Sequence, residues 1–443
     1  MIISRYCIPI DITDNRMVLI NGLTGMHFVL SERETEIFRG WKRRGIMENE
    51  ASVFLIDLLK NGLVFRSDKE EDNAEQLILS KAKAKYEKEK RSLKTATFVL
   101  TYDCNFNCPY CYERNIDSNG AYKHMTKQQI DAIFSYYNEY IEWIILYGGE
   151  PLLEENKEII EYIFKRGADS NYTITTNGYM LLEYMELLKG IKLKRLMVTI
   201  DGDKEEHNRR RVLKGQTTGT FNKIIAGIEL ALKNNISVKI RMNVSADNID
   251  SCLELREQLK NDYLPYYKCG LLMFELQALF QHEKKLKDDI NERILLPHIY
   301  NREKWATSDN TMTRKVSRLL QPFFNKNTIE PMYCACGAES HLRFYDCEGY
   351  VYSCALALGK PSLSIGTYYP KIERKTSGYM FRNIEAIEKC KDCVLKFLCG
   401  GGCSNTIIDS NGNNQFPNCS QIQHELNDVL PRIYRRILDN RVV

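Results

Sequence analysis

The sequence predicts an α/β protein built around an incomplete (β/α)6 TIM barrel. From residue 95 onward, short apolar runs alternate six times with longer helical patterns. This is the signature of a parallel sheet covered by helices, and six units fall short of the eight that close a barrel. Two flanking regions depart from that rhythm: three turn-separated strand-like runs come first, and beyond residue 330 cysteines crowd among short elements.

The first runs, 3–10, 16–21 and 26–30, are separated by DITDN and NGLTG, both turn chemistry, and suit a winged-helix-like module over residues 1–65. Ser31 and Glu34 form a capping box ahead of a helix that buries Ile37, Phe38 and Trp41. A second helix near 50–61 sets Phe54, Leu55, Leu58 and Leu59 on one face and stops at Asn61–Gly62. Residues 66–94 carry mixed charge and read as a solvated helix or linker. The barrel strands are expected at 96–102, 141–147, 171–176, 194–201, 236–244 and 271–279, with helices at 126–140, 154–167, 220–234 and 248–259, which gives a barrel over 95–280. Residues 281–330 form a polar bridging region, and 331–443 a small metal-organised domain.

At 443 residues, 44% hydrophobic and 27% charged, the chain has room for two or three domains with a sizeable core. No run approaches the ~20 apolar residues of a membrane span, and MIISRYCIPIDITDNR breaks into charge too soon for a secretory signal, so a cytoplasmic address is expected. A net charge of +4, with basic and acidic residues interspersed, gives no footprint for nucleic acid. In a reducing compartment, fifteen cysteines point to metal ligation rather than disulfides.

Cys104, Cys108 and Cys111 lie in CNFNCPYC, directly after the first barrel strand, at the end where such folds build their sites. Three thiolates could hold three irons of a [4Fe–4S] cube and leave the fourth open, whereas zinc would want a fourth protein ligand. The run resembles the signature of radical S-adenosylmethionine enzymes. That resemblance implies an open iron that chelates the cofactor's methionine moiety. It extends to YGGEP, where Gly148, Gly149 and Glu150 would meet the methionine ammonium, to TTNG with Thr176 and Asn177, and to TIDG with Thr199 and Asp201. Arg241 and Asn243 alternate onto one face of the fifth strand, and Tyr110 would flank the adenine or simply pack in the core. His207 and Arg209–Arg211 read as a solvated loop.

The second set begins at Cys336, continues through Gly349-x4-Cys354 and Cys390-x2-Cys393-x5-Cys399-x3-Cys403, and closes at Cys419. Its order resembles the SPASM domain, which implies two auxiliary [4Fe–4S] clusters and three in all. Cys390, Cys393, Cys399 and Cys419 would hold the outer one, and Cys336, Cys354 and Cys403 the inner one. Cys334, Cys347 or the substrate would complete the inner set. Two structural zinc sites are the rival reading of the Cys-x2-Cys pair.

Together these resemblances imply a radical peptide maturase. S-adenosylmethionine would yield a 5′-deoxyadenosyl radical that takes hydrogen from an unactivated carbon, with the auxiliary clusters taking up the surplus electron. The first 65 residues resemble a RiPP recognition element, which grips the leader of a ribosomally made precursor peptide by strand addition. The expected product is an oxidative intramolecular cross-link, a thioether before a carbon–carbon bond. An external donor such as flavodoxin or ferredoxin would supply electrons. An anaerobic sulfatase maturase is the alternative enzyme, but that group has an aspartate after the GxxxxC cysteine where this chain has Ala355. No catalytic base is identifiable.

Overall fold

The structure, a computed structural model, describes residues 1–46, 52–91, 95–113, 116, 123–216, 218–279, 319, 329–335, 342–375, 382–404, 407 and 416–439. The bridging region expected at 281–330 therefore lies outside the described residues except at 319, 329 and 330.

The amino-terminal residues fold as β1 (Ile2–Ile3), β2 (Cys7–Thr13), β3 (Arg16–Asn21), β4 (His27–Val29), α1 (Glu32–Arg44), α2 (Val53–Lys60) and β5 (Val64–Phe65). Strands β2, β3 and β4 form an antiparallel meander, and β1 pairs with β5. The capping box forms: Glu34 donates its amide to Ser31 Oγ at 3.3 Å, and Ser31 donates its own to Glu34 Oε2 at 2.8 Å. Phe38 and Trp41 are fully buried and Trp41 stacks on Phe54 at 5.3 Å, while Ile37 and Leu59 are only half-buried.

Strand β3 explains itself through its unbroken MVLI run. Met17 and Leu19 face α1 and α2, whereas Val18 and Ile20, with Ile10 and Ile12, pack against Leu398, Ile422, Leu426, Leu430 and Ile433 near the carboxyl terminus. Both faces of the meander are thus covered, which is why its central strand does not alternate with polar residues. Residues 66–94 also do more than span a gap. They form α3 (Asp68–Arg91), whose Glu71, Ala82 and Tyr86 are buried and whose Ala74, Ile78 and Leu79 pack toward Tyr333, Ile387 and Phe397.

The barrel consists of β6 (Thr95–Val99), α4 (Lys127–Tyr136), β7 (Trp143–Tyr147), α5 (Lys157–Arg166), β8 (Asn171–Thr176), α6 (Leu181–Lys189), β9 (Leu193–Thr199), α7 (Lys204–Arg210), α8 (Phe221–Lys233), β10 (Val238–Val244), α9 (Ile249–Asp262), α10 (Leu264–Lys268) and β11 (Leu272–Ala278). Its six strands are parallel neighbours in chain order. Alternate residues divide the work. Phe98, Ile144, Leu146, Ile174, Val198 and Ile240 lie buried in the apolar core with Ile160, Ile163, Ile224 and Ile228 from the helices. The opposite face presents Thr173, Thr175, Lys239, Arg241, Asn243 and Glu275, so the inner wall is polar. The first strand ends at Val99 rather than 102: Leu100 makes a last bond to the Tyr147 carbonyl, and Thr101 turns away to bridge with His124.

The sheet then continues in an unexpected direction. Strand β12 (Leu342–Asp346) pairs in parallel with β6, from Leu342 opposite Thr95 to Asp346 opposite Val99, and β13 (Tyr350–Tyr352), β14 (Gly366–Thr367) and β15 (Glu373–Arg374) follow antiparallel. The cysteine-rich region is therefore stitched onto the barrel's first edge. No helix among the described residues is long and apolar enough to cross a membrane.

Removing residues 1–65 should uncover Ile422, Leu426, Leu430 and Ile433, each contributing about 1.5–3 kcal/mol when fully buried. That loss is comparable with a typical net stability of about 5–15 kcal/mol. The truncated protein is expected to melt well below the full chain and to aggregate. Thermal unfolding followed by circular dichroism checks this, and an unchanged melting temperature would contradict the packing described.

Candidate active site and cysteine clusters

The loop carrying Cys104, Cys108 and Cys111 leaves β6 and is pinned on two sides. On one, Asn107 donates its amide to the Val212 carbonyl at 2.8 Å and Lys214 donates to the Asn105 carbonyl at 2.8 Å. On the other, the turn after β7 comes up against it: Gly149 donates to the Thr101 carbonyl at 3.0 Å and Glu150 to the Asp103 carbonyl at 2.8 Å. A Cβ at Gly148 would overlap the Thr101 carbonyl oxygen, and one at Gly149 that of Asp103. Gly148 also has φ of 125°, a conformation that L side chains rarely adopt.

Glu150 is fully buried, and its carboxylate organises the next strand end. Oε1 accepts from Leu152 N at 2.9 Å and Thr176 Oγ1 at 2.7 Å, and Oε2 accepts from Asn177 N at 2.6 Å. Burial raises its pKa against these bonds. With about four lone-pair sites and three donors, it retains one more acceptor position. Asn177 in turn donates through Nδ2 to Asn105 Oδ1 at 2.7 Å, tying β8 to the cysteine loop.

A second buried carboxylate, Asp201, follows β9. Its Oδ1 accepts from Asn243 N at 2.8 Å, and its Oδ2 accepts the Tyr110 phenol. Arg211 donates to the same phenol oxygen at 2.7 Å and stands 3.7 Å from Asp201, while the Arg210 guanidinium lies over the Tyr110 ring at 5.0 Å. Tyr110 is thus clamped by neighbours at both its oxygen and its ring. Burial pushes the Cys104 thiol up to about 12 and raises Cys108 as well, while Arg211 lowers both. Buried thiols of this kind become thiolates when a positive centre arrives, which fits iron.

His207 and Arg209–Arg211 do not form the solvated loop that their charge suggests. These residues belong to α7 and the residue after it. His207, Arg210 and Arg211 are buried, and only Arg209 points outward to pair with Glu206. His207 is held neutral, its pKa lowered to about 3 by burial. The signal lay in the helical spacing of 207, 210 and 211, which puts them on one face while Arg209 points away from it.

Arg241 and Asn243 do share a face of β10, as Thr199 does on β9. Arg241 donates Nε and Nη2 to Glu275 Oε1 at 3.2 and 2.7 Å, and Lys239 donates to Oε2 at 3.2 Å. Two cations therefore share one carboxylate on the barrel's inner wall, and Arg241 Nη1 is directed to neither Glu275 oxygen. Glu113 is a further carboxyl, one that no sequence motif marks. It is buried, its pKa is raised to about 7 by burial, and Oε1 has no hydrogen-bond partner among the described residues.

At the carboxyl end, Cys390, Cys393, Cys399 and Cys419 are gathered. Burial pushes the Cys390 thiol up to about 12, with further upward influence from the other three sulfurs. The turn beyond Cys399 is a run of glycines, Gly400 to Gly402, with φ between 59° and 84°. A Cβ at Gly401 would be set against Ile387 and 3.9 Å from Cys390 Sγ. Four thiols around a glycine cradle suit a four-iron cube, which takes one thiolate per iron. No three Cys, His, Asp or Glu side chains among the described residues are set to ligate one ion.

Cys336 lies outside the described residues, while Cys354 and Cys403 are half-buried. The two candidates for the remaining inner ligand fall in different places. Cys347 is 4% exposed inside the barrel core, beside Asp346 and Glu348, whose charges raise its thiol further after burial. Cys334 is half-buried against the glycine turn between Cys399 and Cys403, where Ala335 donates to the Gly400 carbonyl at 2.8 Å.

An open parallel barrel with a three-cysteine loop and a buried glutamate at its strand ends defines an enzyme of the radical type that works with S-adenosylmethionine. The chain belongs to the radical SAM superfamily, whose family model matches residues 98–259. A probable GTP 3′,8-cyclase of Methanococcus aeolicus is 31% identical over 235 residues, covering 51% of this chain and 71% of that protein. The GTP 3′,8-cyclase of Aquifex aeolicus is 32% identical over 176 residues, covering 39% of this chain and 54% of that one. Among solved structures, native anSMEcpe with bound AdoMet superposes with a TM-score of 0.57 at 17% identity, over 79% of this chain and all of the other. Streptococcus suis SuiB bound to precursor peptide SuiA superposes with a TM-score of 0.55 at 15% identity, over 94% of this chain and 99% of the other. At these identities the two structures establish the shared fold.

Replacing Gly149 by alanine should force the turn away from the cysteine loop, at a cost of about 1–3 kcal/mol for overpacking. Reconstituted Gly149→Ala is expected to bind S-adenosylmethionine at least tenfold more weakly, as equilibrium dialysis would measure. Wild-type affinity would contradict the close approach described.

Proposed function

We propose that this enzyme is a peptide maturase that installs an oxidative intramolecular cross-link, a thioether in the first instance, in a ribosomally made precursor peptide. The observation that carries the reading is one chain holding three things: a radical-SAM barrel, a second gathered set of cysteines and an antiparallel module with an edge strand. Among the described residues β4 pairs on one side only, while Arg435 donates to the Ile12 carbonyl at 2.6 Å on the far strand β2. Strand addition at β4 would bind a leader through main-chain hydrogen bonds. The fold likeness to SuiB, whose structure holds its precursor peptide, runs over 94% of this chain and supports a peptide substrate.

Within the barrel, Cys104, Cys108 and Cys111 would hold a [4Fe–4S] cluster. Glu150 would offer its remaining acceptor position to the cofactor's ammonium, with Gly148 and Gly149 admitting it to the backbone. Arg241 Nη1 would meet its carboxylate, and Tyr110, Thr176, Asn177, Thr199, Asp201 and Asn243 would border it. Bound there, the cluster and S-adenosylmethionine supply a radical able to take hydrogen from an unactivated carbon. The chain's own residues orient it: Arg211 offsets the thiolates, and the buried Glu150 and Asp201 fix the strand ends that exclude water.

At the carboxyl end, the outer auxiliary cluster would use Cys390, Cys393, Cys399 and Cys419. For the inner one, Cys334 is the better partner of Cys336, Cys354 and Cys403, since Cys347 sits among carboxylates that oppose its thiolate. A carbon–carbon cross-link is the same two-hydrogen oxidation and fits the site equally. A formylglycine-forming activity is the other enzyme reading, and anSMEcpe shares the fold. Against it, Ala355 follows Cys354 and opens a short 3-10 turn, offering no carboxylate there. The cyclase relatives match about half of this chain or less, and the reading from them leaves the amino-terminal module without a role.

Two outcomes test the proposal. Anaerobic reconstitution with S-adenosylmethionine and a candidate precursor should give a peptide lighter by two hydrogens, mapped to a cysteine by tandem mass spectrometry. Deoxyadenosine release with no change in peptide mass, across candidate precursors, would count against cross-linking. Iron analysis should show a drop of roughly four from about twelve per chain in Cys334→Ala and little change in Cys347→Ala. The opposite pattern would reverse the ligand choice.

A further inference from the structure

The outer cysteine loop is closed in part by residues outside its own domain. Gly22, in the turn between β3 and β4, lies so close to it that a Cβ there would overlap the carbonyl oxygen of Val394, the residue after Cys393. Gly22 donates its amide to the Tyr6 carbonyl at 2.7 Å, and the Tyr6 ring packs 6.2 Å from that of Phe397, which stands two residues before Cys399. Between them is Lys396, 6% exposed. Its ammonium donates to the Lys391 carbonyl inside the Cys390-x2-Cys393 turn and to Glu75 Oε1 of α3, both at 2.5 Å. Arg5 reaches the other oxygen of Glu75 at 2.5 Å. Leu398 completes the contact by packing with Ile10, Ile12, Val18 and Ile20 of the meander.

These contacts are of four kinds: backbone against backbone, ring against ring, aliphatic packing, and a part-buried ion pair. All meet the same ten-residue stretch that bears three of the four outer cysteines. A loop of short elements and glycine turns has little core of its own, so its conformation depends on what it rests against. The stripe on α3 that looks solvated in sequence supplies Glu75 for this purpose.

We propose that the amino-terminal module, together with α3 that Arg5 ties to it, is a wall of the outer auxiliary cluster site, so that folding of the module and loading of that cluster form one reciprocal equilibrium. Linkage requires the effect to run both ways: a cluster that binds only the walled loop stabilises the module, and a disturbed module releases the cluster. This rests on the assignment of Cys390, Cys393, Cys399 and Cys419 to a cluster, and it concerns residues far from the cofactor.

The test uses the full chain, reconstituted anaerobically, and reads iron content and hydrogen exchange rather than turnover. Gly22→Val should lose about four of roughly twelve irons while the remaining eight stay. In the reverse direction, Cys390→Ser/Cys393→Ser should raise exchange at the amides of β2 and β3 at least tenfold, with β7 to β10 unchanged. Wild-type iron in Gly22→Val, or unchanged exchange in the double variant, would overturn the proposal. Should Gly22→Val misfold and lose all iron, Glu75→Gln decides instead: outer iron should pass to a chelator several-fold faster than in the wild type, and an equal rate would overturn it. If the double cysteine substitution leaves iron content untouched, the cluster assignment itself is wrong and the proposal falls with it.

Discussion

The cysteine loop stands over the barrel because the turn after β7 carries no side chains to hold it away. Gly148 and Gly149 let two backbones meet, and the same turn then delivers Glu150 into the interior. From there the order of the site follows. Glu150 fixes the end of β8 through Thr176 and Asn177, and Asn177 returns to the cysteine loop through Asn105. One close approach thus sets the positions of three strand ends and three thiols relative to one another.

Charge is the second constraint. Glu150, Asp201, Arg210 and Arg211 are all nearly or fully buried around thiols that must become thiolates to bind iron. Such groups are tolerated when each finds a partner, and removing one partner of a buried pair costs about 3–5 kcal/mol. Arg211 serves twice, facing Asp201 and lowering the Cys104 and Cys108 thiols. On the opposite wall Lys239 and Arg241 share Glu275, which leaves a net positive charge where a carboxylate can be met.

Much of this was legible in the sequence. Alternation located all six barrel strands, and the spacing of Cys104, Cys108 and Cys111 placed a site at the first strand's end. Other features were hidden by composition. The run of arginines after His207 looked like a solvated face, since charge alone does not reveal that a carboxylate waits inside. The stripe on α3 was masked because Glu71 and Glu75, not apolar residues, hold a buried and a half-buried position on it. Strand β12 is five residues long beside a cysteine-rich tract, too short to announce that it joins the barrel. The unbroken MVLI of β3 did carry a signal that both its faces are covered, but what covers the Val18 and Ile20 face comes from about four hundred residues away.

If Cys104, Cys108 and Cys111 hold a cluster with one iron left for S-adenosylmethionine, electron paramagnetic resonance of the reduced protein shows it. On adding S-adenosylmethionine, one cluster signal should change its g values, and that signal should be missing from Cys104→Ala. A spectrum unaltered by the cofactor, or one that Cys104→Ala leaves intact, would contradict the account.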